Sequence, residues 1–193
     1  MKPFLSFTTS EGKLLQKLNS PSKIQDYLDL LSFNHEKKGE TCMSPRRVIQ
    51  TKKAHCIEGA LFASIALWFH GETPYIVSLK VQERVGDFDH IITLFKRNGY
   101  WGAISKTNHG VLRWRDPVYK TVRELVMSYF HEYFLVTNGK KTLRGYSQKI
   151  NVKQFGTKWI TEEKDLWSIA STIFDLPHTP IIPKGNEKYI RPA

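Results

Sequence analysis

Ala54-His55-Cys56-Ile57-Glu58-Gly59-Ala60-Leu61-Phe62-Ala63-Ser64-Ile65-Ala66-Leu67-Trp68-Phe69-His70 is the stretch around which the rest of the chain is organised. Between Ile57 and Phe69 only Glu58 and Ser64 are clearly polar. The apolar surface therefore goes nearly all the way round, and a helix built this way belongs inside a domain. Cys56 stands at its first turn, where the peptide dipoles favour the thiolate, the form that attacks carbonyl carbon. Cysteine is also a common small core residue, so Cys56 acquires a chemical meaning only if the chain supplies partners for it.

The chain beyond the helix supplies candidates. His70-Gly71 is a stop signal, Pro74 leads into an extended run Tyr75–Val81, and Gly86-Asp87 breaks that run. Phe88–Phe95 reads as a second strand and Tyr100–Ser105 as a third, joined by Asn98-Gly99, a strong hairpin signal. With Asn98 and Gly99 as the central turn residues, Arg97 faces Tyr100, Ile92 faces Ser105 and His90 faces Thr107. His90 and Ser105 then share a face as diagonal neighbours, about 7–8 Å apart along the backbone. Asn108 has the wrong parity without a bulge, and His109 has the right parity at or beyond the strand end.

A nucleophilic cysteine needs a base, and the base needs a third group to set its tautomer. The order Cys56 at a helix start, His90 on a strand, then a polar residue on the next strand resembles the transglutaminase-like superfamily within the papain-like cysteine fold. The resemblance covers about residues 45–105. It rests on the basic approach Arg46, Arg47 and Lys53, Gly59-Ala60 behind the cysteine, the Gly71–Val81 passage with Pro74, and Gly99 followed by Trp101-x-x-x-Ser105.

The resemblance implies an α+β fold in which a buried helix carries the cysteine and packs on an antiparallel sheet, with extra N- and C-terminal helices. It implies Cys56, His90 and Ser105 as the catalytic set. Members of that family usually carry aspartate where Ser105 stands; a serine hydroxyl can orient His90 but brings no charge. Ser105 serves in a weakened triad, or Asn108, Asp116 or Asp89 takes its place, or catalysis has been lost. Gln50, six residues before Cys56, has a spacing similar to the oxyanion glutamine of papain-like peptidases. His55 is a second charge able to lower the Cys56 pKa, with Glu58 in the same turn opposing it. Trp101 is either a cleft wall or core.

Elsewhere, Ser10 is the expected cap of a short helix carrying Leu14, Leu15 and Leu18. Ser20-Pro21 opens an amphipathic helix running to about Asn34. Residues 35–53 read as a basic loop with one turn at most, and Trp114-Arg115-Asp116-Pro117 as a turn. A helical stripe runs from Val122 to Phe134, and Thr142–Val152 is a weak strand. Thr161 is the expected cap of a last helix with Leu166, Ile169, Ala170 and Ile173 on one side, and Asp175–Ala193, with four prolines, reads as a surface tail. One domain is expected, divided into N-terminal helices (1–44), a core (45–135) and a C-terminal extension (136–193).

Composition bounds the function. A chain of 193 residues, 40% hydrophobic and 12% aromatic, is sized for one globular domain. Its longest apolar run falls short of the roughly 20 residues a bilayer requires, and Met1–Phe7 lacks a signal-peptide core, so a cytoplasmic location without a membrane span is expected. Cys42 and Cys56, with seven histidines, show no zinc-ligand spacing. A reducing compartment disfavours a disulfide between them. No acidic calcium loop is present, and no cofactor or metal is implied. The net charge of +11 comes without a recognisable nucleic-acid-binding motif and reads as a solvated basic surface. The expectation is a cysteine-dependent acyl-transfer enzyme acting on a peptide, protein or small amide through a thioester, of protease or transglutaminase type. The alternative is a noncatalytic binding module on the same fold, its basic surface holding an acidic peptide or nucleic acid.

Overall fold

The structure, a computed structural model, describes residues 6–37 and 39–193. Met1–Leu5, most of the stretch read for a targeting signal, and Lys38 lie outside the described residues. Helix α1 (Thr9–Lys17) is capped by Thr8 rather than Ser10, because Glu11 at the third helical position completes a reciprocal cap. The Thr8 N–H donates to Glu11 Oε2 at 2.7 Å and the Glu11 N–H to Thr8 Oγ1 at 3.2 Å. Helix α2 (Pro21–Leu30) starts under Ser20 as expected and ends earlier than Asn34, since Ser32–Phe33 leaves as a short strand, β1.

The 35–53 segment contains more than a loop. Ser44 caps helix α3 (Pro45–Thr51) with proline at its first position, the same device that opens α2. Strand β2 (Lys53–Ala54) then pairs in parallel with β1 and delivers the chain into helix α4 (Cys56–Phe69). Ile57 to Leu67 are all buried in α4, as the all-round apolar pattern requires.

Arg46 of α3 clamps Glu11 of α1, its Nε donating to Oε1 at 2.8 Å and its Nη2 to Oε2 at 3.1 Å. Burial raises the Glu11 pKa, and the Arg46 and Thr8 hydrogen bonds outweigh it and bring the carboxyl below its ordinary 4.5. A depressed folded-state value means that the folded form binds fewer protons. The contribution is therefore present above pH 4.5 and lost as pH falls through the lower folded value. Glu11→Gln is expected to cost about 1 kcal/mol at pH 7 and progressively less once pH falls below 4.5, as urea denaturation across that range will reveal.

The sheet follows: β3 (Tyr75–Val81), β4 (His90–Arg97), β5 (Tyr100–Ile104) and β6 (Trp114–Tyr119), then helix α5 (Val122–Tyr129). Strands β7 (Leu143–Ser147) and β8 (Ile150–Asn151), helix α6 (Trp167–Phe174) and strand β9 (His178–Pro180) complete it. The strand order is β6-β5-β4-β3-β7-β9, with β8 also against β3, and every pairing is antiparallel. The class is α+β. The hairpin register is the expected one, Arg97 facing Tyr100 and Thr93 facing Ile104. Phe88 and Asp89 precede β4 rather than belonging to it.

Four further expectations need correction. Trp114–Pro117 belongs to a strand, β6, and Pro117 is tolerated there because β6 is at the sheet edge, where an N–H can be dispensed with. The Val122–Phe134 stripe is helical only to Tyr129. Phe134 instead bridges to Lys141, and the burial of Tyr129 and Tyr133 keeps the stripe in the core without a helix. Thr161 ends a 3-10 turn, and α6 begins six residues later. The C-terminal segment is not merely a surface tail: β9 adds to the sheet, Ile181 is buried and the Ala193 N–H reaches the Gly139 carbonyl at 2.9 Å.

Two apolar layers flank the sheet, as alternation along its strands dictates. Ile76, Ile91, Phe95 and Ile104 face α4, α2 and α6, whereas Val77, Leu79, Ile92 and Leu94 face Leu125, Val126 and Tyr129 of α5. Thr93 joins the α4 side, its hydroxyl donating to the Ala60 carbonyl at 2.7 Å. The mouth of α4 is thereby held near the start of β4. Among the described residues no helix is long and apolar enough to cross a membrane.

Candidate active site

Cys56 is half-buried at the first position of α4. His90, at the start of β4, is only 5% exposed. Burial alone would push the Cys56 thiol up. Hydrogen bonds to His55 and His90, together with their charges, more than offset that and bring it down to about 6. Cys42 is the contrast: burial first, then the Glu58 and Asp165 charges, push its thiol up to about 12. The chain thus has one thiol prepared to ionise and one kept inert.

His90 is positioned by the connection that precedes it. Asp89 accepts from the Val81 N–H at 2.9 Å and pairs with Lys80 Nζ at 3.0 Å, closing the β3–β4 passage just before His90. The Tyr133 hydroxyl donates to the Phe88 carbonyl at 2.6 Å and ties the same passage to the segment after α5. His90 Nε2, although buried, has no nitrogen or oxygen partner among the described residues.

That orphaned atom decides the fate of the third member. Strand pairing stops at Thr93–Ile104, and Ser105 turns toward the β6 side, its hydroxyl donating to the Leu112 carbonyl at 2.8 Å and the Arg113 carbonyl at 3.1 Å. Ser105 is fully buried as a structural hinge and does not reach His90. The Asp89 carboxylate is taken by Lys80 and Val81. Asp116 is exposed and accepts from Trp114 Nε1 at 2.9 Å. Asn108 lines the cleft but is exposed, with no bond to His90. Gln50 is exposed on α3 and is not among the cleft residues, because α3 carries it out to solvent while its neighbour Val48 is buried. Trp101 packs edge-on against Tyr75 in the sheet, away from the cleft.

The sequence names His55 and Glu58 as opposing charges, but it does not show the network that joins them beside Cys56. Glu58 is fully buried and accepts from the Met43 N–H at 2.9 Å, the His55 N–H at 2.9 Å, Thr41 Oγ1 at 2.8 Å and Asn34 Nδ2 at 3.1 Å. The β1–β2 ladder brings Asn34 there, its N–H donating to the Ala54 carbonyl. His55 Nε2 lies 2.9 Å from the Thr41 carbonyl, 3.4 Å from Glu58 Oε1 and 3.5 Å from Glu36 Oε1. Burial disfavours the charged ring, yet Cys56, Glu58 and Thr41 lift the His55 pKa to about 9. The available signal was the carboxylate at the third position of a helix whose cap is His55, a reciprocal-cap spacing.

A cleft of about 950 Å³ opens above Cys56 and His90. Phe88 and Val136 on its rim are 83% and 80% exposed, and Trp167 of α6 is 46% exposed. Among the described residues of its lining, carboxylates (Glu36, Glu40, Glu83, Asp87, Asp89, Glu132) outnumber the cations Lys80, Arg84 and Lys106. The basic surface implied by +11 is therefore not concentrated in the cleft. No protein-family model matches this chain and no curated protein matches it.

Proposed function

We propose that this chain is a transglutaminase-like, cysteine-dependent acyl-transfer enzyme of papain-like fold, acting on amide or peptide bonds through a thioester on Cys56. The observation that carries this reading is a thiol lowered to about 6, held between two histidines at the mouth of a buried helix and opening on a cleft. The thiol proton passes to imidazole and the sulfur attacks the carbonyl carbon, moving the π pair onto oxygen. The Cys56 N–H, at the first helical position and without an intrahelical acceptor, is available to that oxygen. Collapse breaks the C–N bond, imidazole returns the proton to the leaving amine, and water or an amine discharges the thioester. His90, buried at the floor of the cleft, handles the leaving-group proton. The exposed Phe88 and Val136 suit an apolar side chain, and the excess of carboxylates suits a neutral or cationic peptide.

p-Nitrophenyl acetate tests the reading with no knowledge of the natural substrate. The expected result is a burst of one p-nitrophenolate per chain, an acetyl group on Cys56, and faster discharge when hydroxylamine is added as acceptor. Cys56→Ser abolishes the burst, and His90→Ala slows turnover by about 10²–10⁴. Acetylation confined to lysines, or absent, overturns the reading.

The unpartnered Nε2 of His90 favours a second reading, a noncatalytic module on the same fold whose basic surface holds an acidic peptide or nucleic acid. Its expected signature is heparin retention at low salt that falls away as salt rises, in a protein whose Cys56 does not acylate.

A further inference from the structure

Two histidines touch Cys56, and they are supported very differently. Among the described residues no carboxylate bonds to His90: its Nε2 is buried without a partner, Ser105 is committed to two carbonyls, and Asp89 faces Lys80. His55 is the reverse case. Its Nε2 is surrounded by oxygens that only accept, the Thr41 carbonyl and the Glu58 and Glu36 carboxylates, so this nitrogen carries the hydrogen. The lone pair is left on Nδ1, where the Glu58 N–H of the reciprocal cap and the adjacent Cys56 thiol both approach it.

Glu58 is fixed in turn by four donors from three parts of the chain, so the support does not depend on an exposed side chain finding its place. Glu36, held by the Thr41 N–H at 2.7 Å, adds a second carboxylate at the same ring nitrogen. The remaining groups facing His55 are Cys56 itself and the Thr41 carbonyl.

We propose that the carboxylate missing beyond His90 is supplied from the nucleophile's own helix: Glu58, acting through His55, holds Cys56 as the thiolate, and His90 is left to face the substrate. The step is a proton transfer from Cys56 Sγ to His55 Nδ1, giving a thiolate and an imidazolium with no change in net charge. His55 is then a catalytic residue in contact with the nucleophile, and Glu58 a positioning residue that acts through it. This rests on the acyl-transfer reading of the same site.

The test is the pH profile of Cys56 alkylation by iodoacetamide in a Cys42→Ser background, with thermal melting to verify folding and ring NMR of the histidines. Wild type is expected to show a midpoint near 6 for Cys56. His55→Gln raises it by about 1–2 units, Glu58→Gln raises it by about 1 unit, and His90→Gln raises it by less than His55→Gln. The His55 ring, titrating at about 9 in wild type, falls toward its ordinary value in Cys56→Ala, which a merely structural cap residue would not do. If Glu58→Gln fails to fold, His55→Gln and His55→Asn decide alone. A His55→Gln shift equal to or smaller than the His90→Gln shift overturns the inference and leaves the acyl-transfer reading standing. A wild-type midpoint near the ordinary value of about 8.5 overturns both.

Discussion

Iodoacetamide at pH 6 is expected to add a single carbamidomethyl group per folded chain, on Cys56, about ten times faster than it alkylates an ordinary cysteine. At that pH about half of Cys56 is thiolate, against about 0.3% of a thiol titrating at 8.5. That is a gain of roughly 160-fold in the reactive form. A less basic sulfur is a poorer nucleophile, and with a Brønsted coefficient of about 0.45 the fall of about 2.5 units takes back roughly tenfold. The two effects oppose each other, and the thiolate population wins at pH 6 and below; by pH 8 the advantage is gone. Cys42, pushed up to about 12, is the internal control and stays unlabelled until the chain unfolds. Intact mass and peptide mapping decide the outcome. Equal labelling of the two thiols, or a Cys56 rate at pH 6 no greater than that of free cysteine, would count against the activated nucleophile.

The second large effect is on stability. Lys106 is 2% exposed, and its ammonium donates to the Leu28 carbonyl at 2.7 Å and to the Leu31 carbonyl, where α2 has run out of its own donors. Desolvation lowers its pKa. Lys106→Met keeps the aliphatic stem but leaves the Leu31 carbonyl without the ammonium and the Leu28 carbonyl with the Leu31 N–H at 3.2 Å. With a buried unsatisfied carbonyl costing about 1–3 kcal/mol, and a second one weakened, the expected loss is about 2–4 kcal/mol by urea denaturation. The opposing gain, relief of a buried ammonium, is offset because the carbonyls currently solvate it.

Gly59→Ala strikes the same contact from α4, since a Cβ there would lie 2.4 Å from Lys106 Cβ and the lysine cannot retreat while its head is held. Its expected cost is about 1–3 kcal/mol. The two substitutions should be non-additive because they share one contact. A change below about 0.5 kcal/mol in either would show that α2 and α4 do not depend on this bond.

How much of this was legible depends on whether the relevant interaction is local. Ser20-Pro21 announced α2 because capping is settled within four residues, and Asn98-Gly99 set the β4–β5 register because a two-residue turn leaves no freedom. Ser44-Pro45 carries the same cue as Ser20-Pro21, but the segment reads as a loop because α3 is short and basic and buries only Pro45 and Val48. Pro117 read as a turn because nothing local says that its strand will lie on a sheet edge. Parity predicts Ser105 on the His90 face, and Ser105 instead bonds to the Leu112 and Arg113 carbonyls. Parity holds only while the ladder continues, and this one ends a residue earlier, at Ile104.

By itself the sequence determined the buried helix, the cysteine at its mouth and the hairpin bearing His90, because each follows from periodicity or turn geometry within a few residues. The tertiary structure alone decided what surrounds Glu58 and His55 beside Cys56. Glu58 sits two residues from the thiol and, taken alone, would oppose its ionisation. Met43, Thr41 and Asn34 fold back to hold it against His55, whose pKa it raises, and on the inference above it acts on the thiol through that ring. Electrostatic work depends on distances between groups that only the folded chain brings together, and those distances are not written in sequence spacing.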